Sequence, residues 1–131
     1  MKEVLDYLKS CGTFYLATCE DGQPHVRPFG AVCAFEGKLY IVTNNQKKVY
    51  QQMQKNGKVE ICGMHKGTWI RVEGEVTEDT RREARVAMME DNTAALSSMY
   101  TVDDNLMTVF RFERGTATVY SFTEEPKVYS I

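Results

Sequence analysis

The stretch KLYIVTNNQKKVYQQMQKNGKVEIC, residues 38–62, has the clearest pattern of structural elements in the chain. Apolar and polar residues alternate over 38–43, which predicts a strand, and a second strand is predicted over 58–64. Between them a helix is predicted over 46–56, with Asn45 as its N-cap and Asn56-Gly57 as a left-handed stop. Two short strands around one helix indicate a β fold with inserted helices.

Two-residue turns, each a polar residue followed by glycine, are predicted between most of the other strands. The turns are Asp21-Gly22, Glu36-Gly37, Lys66-Gly67 and Arg114-Gly115, and the further strands are 13–18, 25–35, 68–76, 108–114 and 116–121. Helices are predicted over 2–10, from a capping box at Thr80–Glu83 to about residue 91, and over 93–98. Residues 122–131 are predicted to be irregular. Pro28 restricts its strand to a sheet edge or a bulge.

These elements predict a mainly β, antiparallel fold of about seven strands. Closing such a sheet removes exposed edges, so a barrel is expected. The helices do not alternate with the strands, which excludes a doubly wound α/β sheet. The chain of 131 residues shows no linker or repeat, and a single domain over 1–131 is expected.

The composition limits the classes of partner. A net charge of −2 gives no overall field that would attract nucleic acid or an acidic membrane. No apolar run approaches the roughly 20 residues of a membrane span, and the start lacks a signal-peptide core, so a cytoplasmic protein is expected. The four cysteines, Cys11, Cys19, Cys33 and Cys62, fit no zinc spacing and are expected to be free buried thiols. No metal site is expected.

Lys47 and Lys48 fall in the first turn of the predicted helix 46–56. A cation there is unfavourable by a few tenths to about 1 kcal/mol, because a helix N-terminus carries partial positive charge. Either both lysines are merely solvated, or an anion binds beside them. A helix N-terminus with two ammonium groups is a suitable phosphate site.

Arg27 supplies a second cation in the motif HVRPFG. On its strand it shares a side with apolar residues such as Phe29, so it is either paired or extends from the strand end to water. A tight hairpin at Glu36-Gly37 would place the start of strand 25–35 beside the end of strand 38–43. Arg27 and residues 43–48 would then converge with no acidic residue among them, which favours a phosphate ligand.

Three segments in this order resemble the pyridoxamine 5′-phosphate oxidase-like flavoproteins: ATCEDGQPHVRPFG, GKLYIVTNNQKKVYQQMQKNGKVEIC and TWIRVEGEV. The short chain is most similar to the small branch of nitroimidazole-resistance and general-stress relatives. The resemblance implies the FMN-binding split-barrel fold and FMN as cofactor. It also implies a homodimer with FMN at the interface.

The resemblance also implies a set of cofactor-binding residues. Arg27, Lys47 and Lys48 would bind the FMN phosphate, and Pro28, Phe29 and Gly30 would pass beside the isoalloxazine ring. Thr43, with Asn44 beside it, ends the strand that reaches the site. Trp69, with Arg71 close by, would contact the ring, often from the partner subunit; from its sequence pattern alone, Trp69 could equally be a core residue.

The resemblance to true pyridoxamine phosphate oxidases is incomplete. Those enzymes have a lysine where this chain has Val32, and the chain ends TEEPKVYSI without their arginine-rich substrate segment. Oxidation of vitamin B6 is therefore not expected. No catalytic acid or base is assigned, and the roles of Arg71 and Tyr100 in a substrate pocket stay open.

The expected function is that of an FMN-dependent oxidoreductase, which passes hydride from NADH or NADPH to a small acceptor such as a nitroaromatic or another flavin. One alternative is a flavin carrier or redox sensor without turnover. Another is a haem- or deazaflavin-binding relative, for which His25 and His65 are the only candidate axial histidines. The remaining alternative is a barrel that binds no cofactor.

Overall fold

The computed structural model describes residues 1–131 and contains one antiparallel sheet of eight strands with four helices. The helices are α1 (Lys2–Cys11), α2 (Lys48–Lys55), α3 (Arg82–Asp91) and α4 (Thr93–Leu96). The strands are β1 (Phe14–Glu20), β2 (Gln23–Phe29), β3 (Val32–Phe35), β4 (Lys38–Asn44), β5 (Lys58–His65), β6 (Thr68–Asp79), β7 (Met107–Tyr120) and β8 (Lys127–Ser130). The expected antiparallel β fold with inserted helices is confirmed.

The strand order is β2-β1-β5-β6-β7-β4-β3, with β8 paired to β7. Strands β2 and β3 lie at opposite ends of this order, so the curled sheet does not close. The long strand β7 explains the arrangement. One edge of β7 pairs with β6 along most of its length, while the other pairs with β4 in its first half and with β8 in its second.

Three of the four predicted glycine turns are confirmed. Asp21-Gly22, Glu36-Gly37 and Lys66-Gly67 have positive φ at both residues, between 50° and 81°. This left-handed conformation is that of two-residue hairpin turns, whose twist matches the flanking strands. The three turns join β1 to β2, β3 to β4 and β5 to β6.

The predicted turn at Arg114-Gly115 is wrong, because β7 runs through it without interruption. Gly115 lies directly opposite Gly74 of β6. A Cβ on Gly74 would lie 2.4 Å from the carbonyl oxygen of Arg114, and one on Gly115 would lie 2.7 Å from that of Glu73. Close approach of the two strands therefore explains this glycine. The irregular tail predicted over 122–131 is also corrected, since it contains β8.

The single strand predicted over 25–35 is two strands. β2 pairs with β1, β3 pairs with β4, and the break falls at Gly30-Ala31. The start of this stretch therefore does not pair with the end of strand 38–43, and that expectation was wrong. Pro28 lies in β2, which is an edge strand, as its missing N–H group requires.

The predicted helix caps are also corrected. Helix α2 begins at Lys48, and neither Asn45 nor any other side chain caps it. Its C-cap Asn56 is extended (φ −142°), and Gly57 follows because a Cβ there would meet the Val76 carbonyl oxygen at 2.5 Å. The Thr80–Glu83 capping box is absent; the carboxylate of Asp79 instead accepts from the backbone N–H of Arg81.

Two apolar clusters fill the interior. The larger has 17 buried residues, from α1, α2 and the inner faces of most strands. The smaller has nine, beneath α3 and α4. Of the cysteines only Cys33 is buried, where burial raises its pKa to about 12; Cys62 is exposed, so the expectation of four buried thiols was wrong. None of the helices is both long and apolar enough to cross a membrane.

Candidate functional site: a cationic cluster beside an apolar cavity

The N-terminus of α2 carries two lysines and free backbone donors. Lys47 is the N-cap residue and Lys48 is the first helical residue. Neither side chain pairs with a carboxylate. The N–H groups of Lys48 and Val49 have no backbone acceptor. Free N–H groups and the helix dipole both favour an anion at this position.

Arg27 reaches the same helix through its guanidinium group. Nη1 donates to the Leu16 carbonyl oxygen (3.2 Å) and to Thr18 Oγ1 (2.9 Å), and Nη2 donates to Gln52 Oε1 (2.7 Å). Thr18 Oγ1 also donates to Gln52 Oε1 (2.6 Å), and both residues are buried. These neutral acceptors fix the guanidinium group but do not neutralise its charge. Burial lowers the pKa of Arg27.

Gln52 connects the arginine to the lysines. It lies four residues after Lys48 on α2, so the two side chains lie on one face of the helix, one turn apart. Arg27 contacts Gln52, so the three cationic side chains of this cluster, Arg27, Lys47 and Lys48, all belong to α2 and its N-cap or contact that helix. No acidic side chain contacts Arg27, Lys47 or Lys48, so the cluster keeps its positive charge. Helix α2, rather than a β2–β4 hairpin, is the element that connects Arg27 to the two lysines.

A cavity of about 220 Å³ lies beside Lys47. The break between β2 and β3, the end of β4, the N-cap of α2 and the segment around α4 form its walls. The lining residues are Pro28, Phe29, Gly30, Ala31, Val42, Thr43, Lys47, Ala95, Leu96, Met99 and Tyr100. It therefore combines five residues expected at the site with a wall from the α4 segment that sequence reasoning did not assign. The mostly apolar lining with few polar groups suits a planar heterocycle.

Asn44 lies at the edge of this cavity without lining it. Its Oδ1 accepts from the backbone N–H of Gln46 (2.9 Å), and its Nδ2 donates to the hydroxyl oxygen of Tyr100 (3.1 Å). Asn44 thereby ties the turn before α2 to the segment that follows α4. Gln52 and Thr18, which hold Arg27, were missed in the sequence; the spacing of Gln52 from Lys48 was the available signal.

Trp69 and Arg71 lie away from the cluster, on the outward face of β6. Trp69 stacks on Tyr120 (ring centroids 5.6 Å apart, interplanar angle 16°) and packs against Phe122. Arg71 pairs with Glu60 of β5 (2.5 Å). Arg71 and Pro28 lie in one register row, with Cys62 and Tyr15 between them. Three strand spacings, about 14 Å, therefore separate them within one chain.

Other polar regions of the protein are less suited to an anionic ligand than the cationic cluster. A wider concavity of about 660 Å³ lies beside β1, β5, β6 and β7, but its carboxylates, Glu60, Glu73 and Glu75, outnumber its cations, Lys58 and Arg114, so it suits an anion less well. The ring of His65 packs edge-on against Tyr7 (centroids 6.0 Å apart), and His25 lies on edge strand β2. The structure contains no group of three or more potential metal ligands.

Comparisons with known proteins concern the whole chain and its fold. Residues 1–118 match the family model described as pyridoxamine 5′-phosphate oxidase. A NimC/NimA family protein of Clostridium acetobutylicum is 52% identical, with a TM-score of 0.94, over 100% of this chain and 93% of that one. A comparison with curated proteins finds no match.

Two more distant structures share the fold. General stress protein 26 of Bacillus anthracis str. Sterne has 17% identity and a TM-score of 0.77, over 99% of this chain and 98% of that one. A pyridoxamine 5′-phosphate oxidase-related, FMN-binding protein of Nostoc punctiforme PCC 73102 has 15% identity and a TM-score of 0.63, over 98% and 92%. The expected split-barrel fold is confirmed, and the chain belongs to the pyridoxamine 5′-phosphate oxidase family.

Proposed function

We propose that the protein binds FMN and uses it as an oxidoreductase. The observation that carries the proposal is the group of Arg27, Lys47 and Lys48, which has no carboxylate partner and of which Lys47 lines an apolar cavity. A phosphate monoester with a planar ring matches both parts of this arrangement. The FMN-binding relative of the same fold adds independent support.

The phosphate would be held by charge and by oriented donors together. Lys48 and the free N–H groups at the start of α2 would face it, with Arg27 fixed nearby by Thr18 and Gln52. The site needs little reorganisation, because Arg27 is already held by three acceptors. Pro28, Phe29 and Gly30 would form the wall beside the ring, with Thr43 close to Lys47.

Bound FMN would supply the hydride chemistry, taking electrons from a nicotinamide and passing them to a small acceptor. The protein's own residues would hold and orient the cofactor and exclude water from one side of it. Leu96 is buried and Phe29 is partly buried, so this part of the cavity wall is shielded from water. None of the lining side chains is a carboxylate or a histidine, so no proton-transferring group is assigned.

The protein is also proposed to be a homodimer with FMN at the interface. The outward faces of β2, β1, β5 and β6 are covered by no helix of the chain and expose large apolar side chains, including Val26 (68%) and Met64 (66%). Arg71 and Glu60 provide opposite charges near the middle of this face. A second copy would cover the apolar side chains and would bring a partner's Trp69 and Arg71 toward the cavity, which they do not reach within one chain.

The main alternative keeps FMN but lacks turnover, as in a flavin carrier or redox sensor. A carrier or sensor would have the same FMN-binding site as the enzyme. It would differ in that its bound flavin is not reduced by a nicotinamide and then reoxidised by an acceptor. A haem- or deazaflavin-binding protein is a weaker alternative, since neither His25 nor His65 lines the cavity.

Anaerobic reduction separates the enzyme from the carrier. Protein loaded with FMN should lose its visible flavin absorption on addition of NADH or NADPH, and should regain it when a nitroaromatic or free flavin is added. Free FMN at the same concentration is the control for direct reduction. Stable flavin bands in the presence of both nicotinamides would contradict the reductase and favour the carrier or sensor.

A further inference from the structure

Tyr100 is the polar residue of the cavity wall formed by the α4 segment. Its backbone N–H donates to the Leu96 carbonyl oxygen (2.9 Å), which fixes the turn that presents the side chain. Its ring packs against the smaller apolar cluster, which includes Val42 and Leu96. The hydroxyl group is therefore held at the cavity edge by packing on one side and by Asn44 on the other.

The direction of the Asn44–Tyr100 hydrogen bond follows from the backbone. The N–H of Gln46 can only donate, so the side-chain atom that it contacts at 2.9 Å must be Oδ1 of Asn44. The amide orientation is thereby fixed, and Nδ2 is the atom that faces Tyr100. Since an NH₂ group can only donate, the Tyr100 oxygen is the acceptor in this bond.

The hydroxyl proton of Tyr100 is consequently unused. The side chain makes no hydrogen bond to a protein acceptor; its only polar contact is the one that it accepts from Asn44. Tyr100 and Thr43 supply the hydroxyl groups of the cavity, and Lys47 supplies its charge. A fixed neutral donor at an apolar wall complements a ligand that carries a carbonyl oxygen or an unprotonated ring nitrogen.

We propose that Tyr100, oriented by Asn44, donates a hydrogen bond to a carbonyl oxygen or ring nitrogen of the flavin heterocycle. This inference rests on the proposed binding of FMN and adds a ring-recognising residue to the phosphate-binding cluster. In this arrangement the lysines would bind the phosphate of FMN, and Tyr100 would hydrogen-bond to the heterocyclic ring. Hydrogen bonds to ring atoms also change the absorption and electronics of a bound flavin.

The test uses Tyr100→Phe, which removes one oxygen atom and keeps the ring. FMN and riboflavin are each titrated into the wild type and the variant, because riboflavin keeps the heterocycle and lacks the phosphate. Loss of one neutral hydrogen bond should weaken both ligands by about three- to tenfold, by similar factors. The visible bands of the bound flavin should also shift.

Tyr7→Phe is the matched control, since it removes a hydroxyl group that bonds Thr68 outside the cavity. It should leave both affinities and the bands unchanged. Unchanged affinities and an unchanged spectrum in Tyr100→Phe would overturn the inference while leaving FMN binding intact. Failure of the wild type to bind FMN would instead overturn the proposed function, and the assignment of Tyr100 with it.

Discussion

Arginine residues in this protein differ in what balances their charge. Arg71, Arg81, Arg82, Arg111 and Arg114 each pair with at least one carboxylate. Arg27 is partly buried and contacts neutral acceptors only. Arg85 also contacts only neutral acceptors, the carbonyl oxygens of Val102 and Thr80, but it lies in a concavity that contains Glu78 and Asp103. Because a partly buried charge is unfavourable unless it is paired, Arg27 is the arginine whose surroundings most favour an anionic ligand. Its environment, rather than its residue type, is what distinguishes it.

Asp79 is the opposite case, a buried carboxylate with several cationic and neutral donors. It accepts hydrogen bonds from Arg81 Nη2 (2.9 Å) and from the Tyr40 hydroxyl (2.7 Å), and it forms an ion pair with Arg111 Nη1 (3.3 Å). Hydrogen bonds from Arg81, above all, hold the pKa of this carboxyl well below its usual range. The group thus joins the end of β6 to β4, β7 and the start of α3.

Asp79→Asn should lower the free energy of unfolding at pH 7 by about 1.5–3 kcal/mol, because charged hydrogen bonds are lost and two arginines lose a partner. A lowered folded-state pKa stabilises the fold above the unfolded pKa, near 4, and this stabilisation is lost as the pH falls toward the folded value. The difference between wild type and variant should therefore be about 1 kcal/mol smaller at pH 3 than at pH 7.

Urea unfolding of both proteins at pH 7 and pH 3 measures this difference. Equal differences at the two pH values would show that the Asp79 carboxylate does not have a lowered pKa.

At the scale of elements, sequence patterns predicted most strands and helices and missed features set by tertiary contact. The left-handed turns at Asp21, Glu36 and Lys66 were predictable because their conformation is local. Gly115 and Gly57 each follow a polar residue, as the turn glycines do, yet each is needed for close approach to another strand. Such approach depends on residues far along the chain, and no local pattern contains it.

The residues of the candidate site could be proposed from the sequence, but the contacts that support them could not. Arg27, Lys47 and Lys48 were proposed from charge and position, and α2 carries the two lysines and contacts the arginine. The element that joins them was predicted incorrectly, since Arg27 reaches α2 through Gln52 rather than through pairing of β2 with β4. Tyr100 was only an open candidate for a substrate pocket in the sequence, because its position depends on a turn that brings it to Asn44.

At the scale of the molecule, one face of the sheet has no cover within the chain. A dimer through this face should be disrupted by Met64→Glu, because the new carboxylate would be buried against an apolar partner surface. Leu106→Glu is the matched control, since Leu106 is exposed (39%) in the loop before β7 and lies outside that face. Light scattering should report a dimer for the wild type and the control, and a monomer for Met64→Glu.

A wild type that is monomeric with FMN bound would contradict the shared interface. A Met64→Glu variant that stays dimeric would show that the interface lies on another surface.

We expect the cluster at the start of α2 to bind the phosphate of FMN. The most direct measurement is the dissociation constant of FMN and of riboflavin for the wild type and for Lys47→Ala/Lys48→Ala. Lys55→Ala/Lys58→Ala, at and just beyond the other end of α2, is the control. We expect FMN to bind the Lys47/Lys48 variant at least about tenfold more weakly, with riboflavin and the control unchanged. Equal affinity of wild type and variant for FMN would contradict the account.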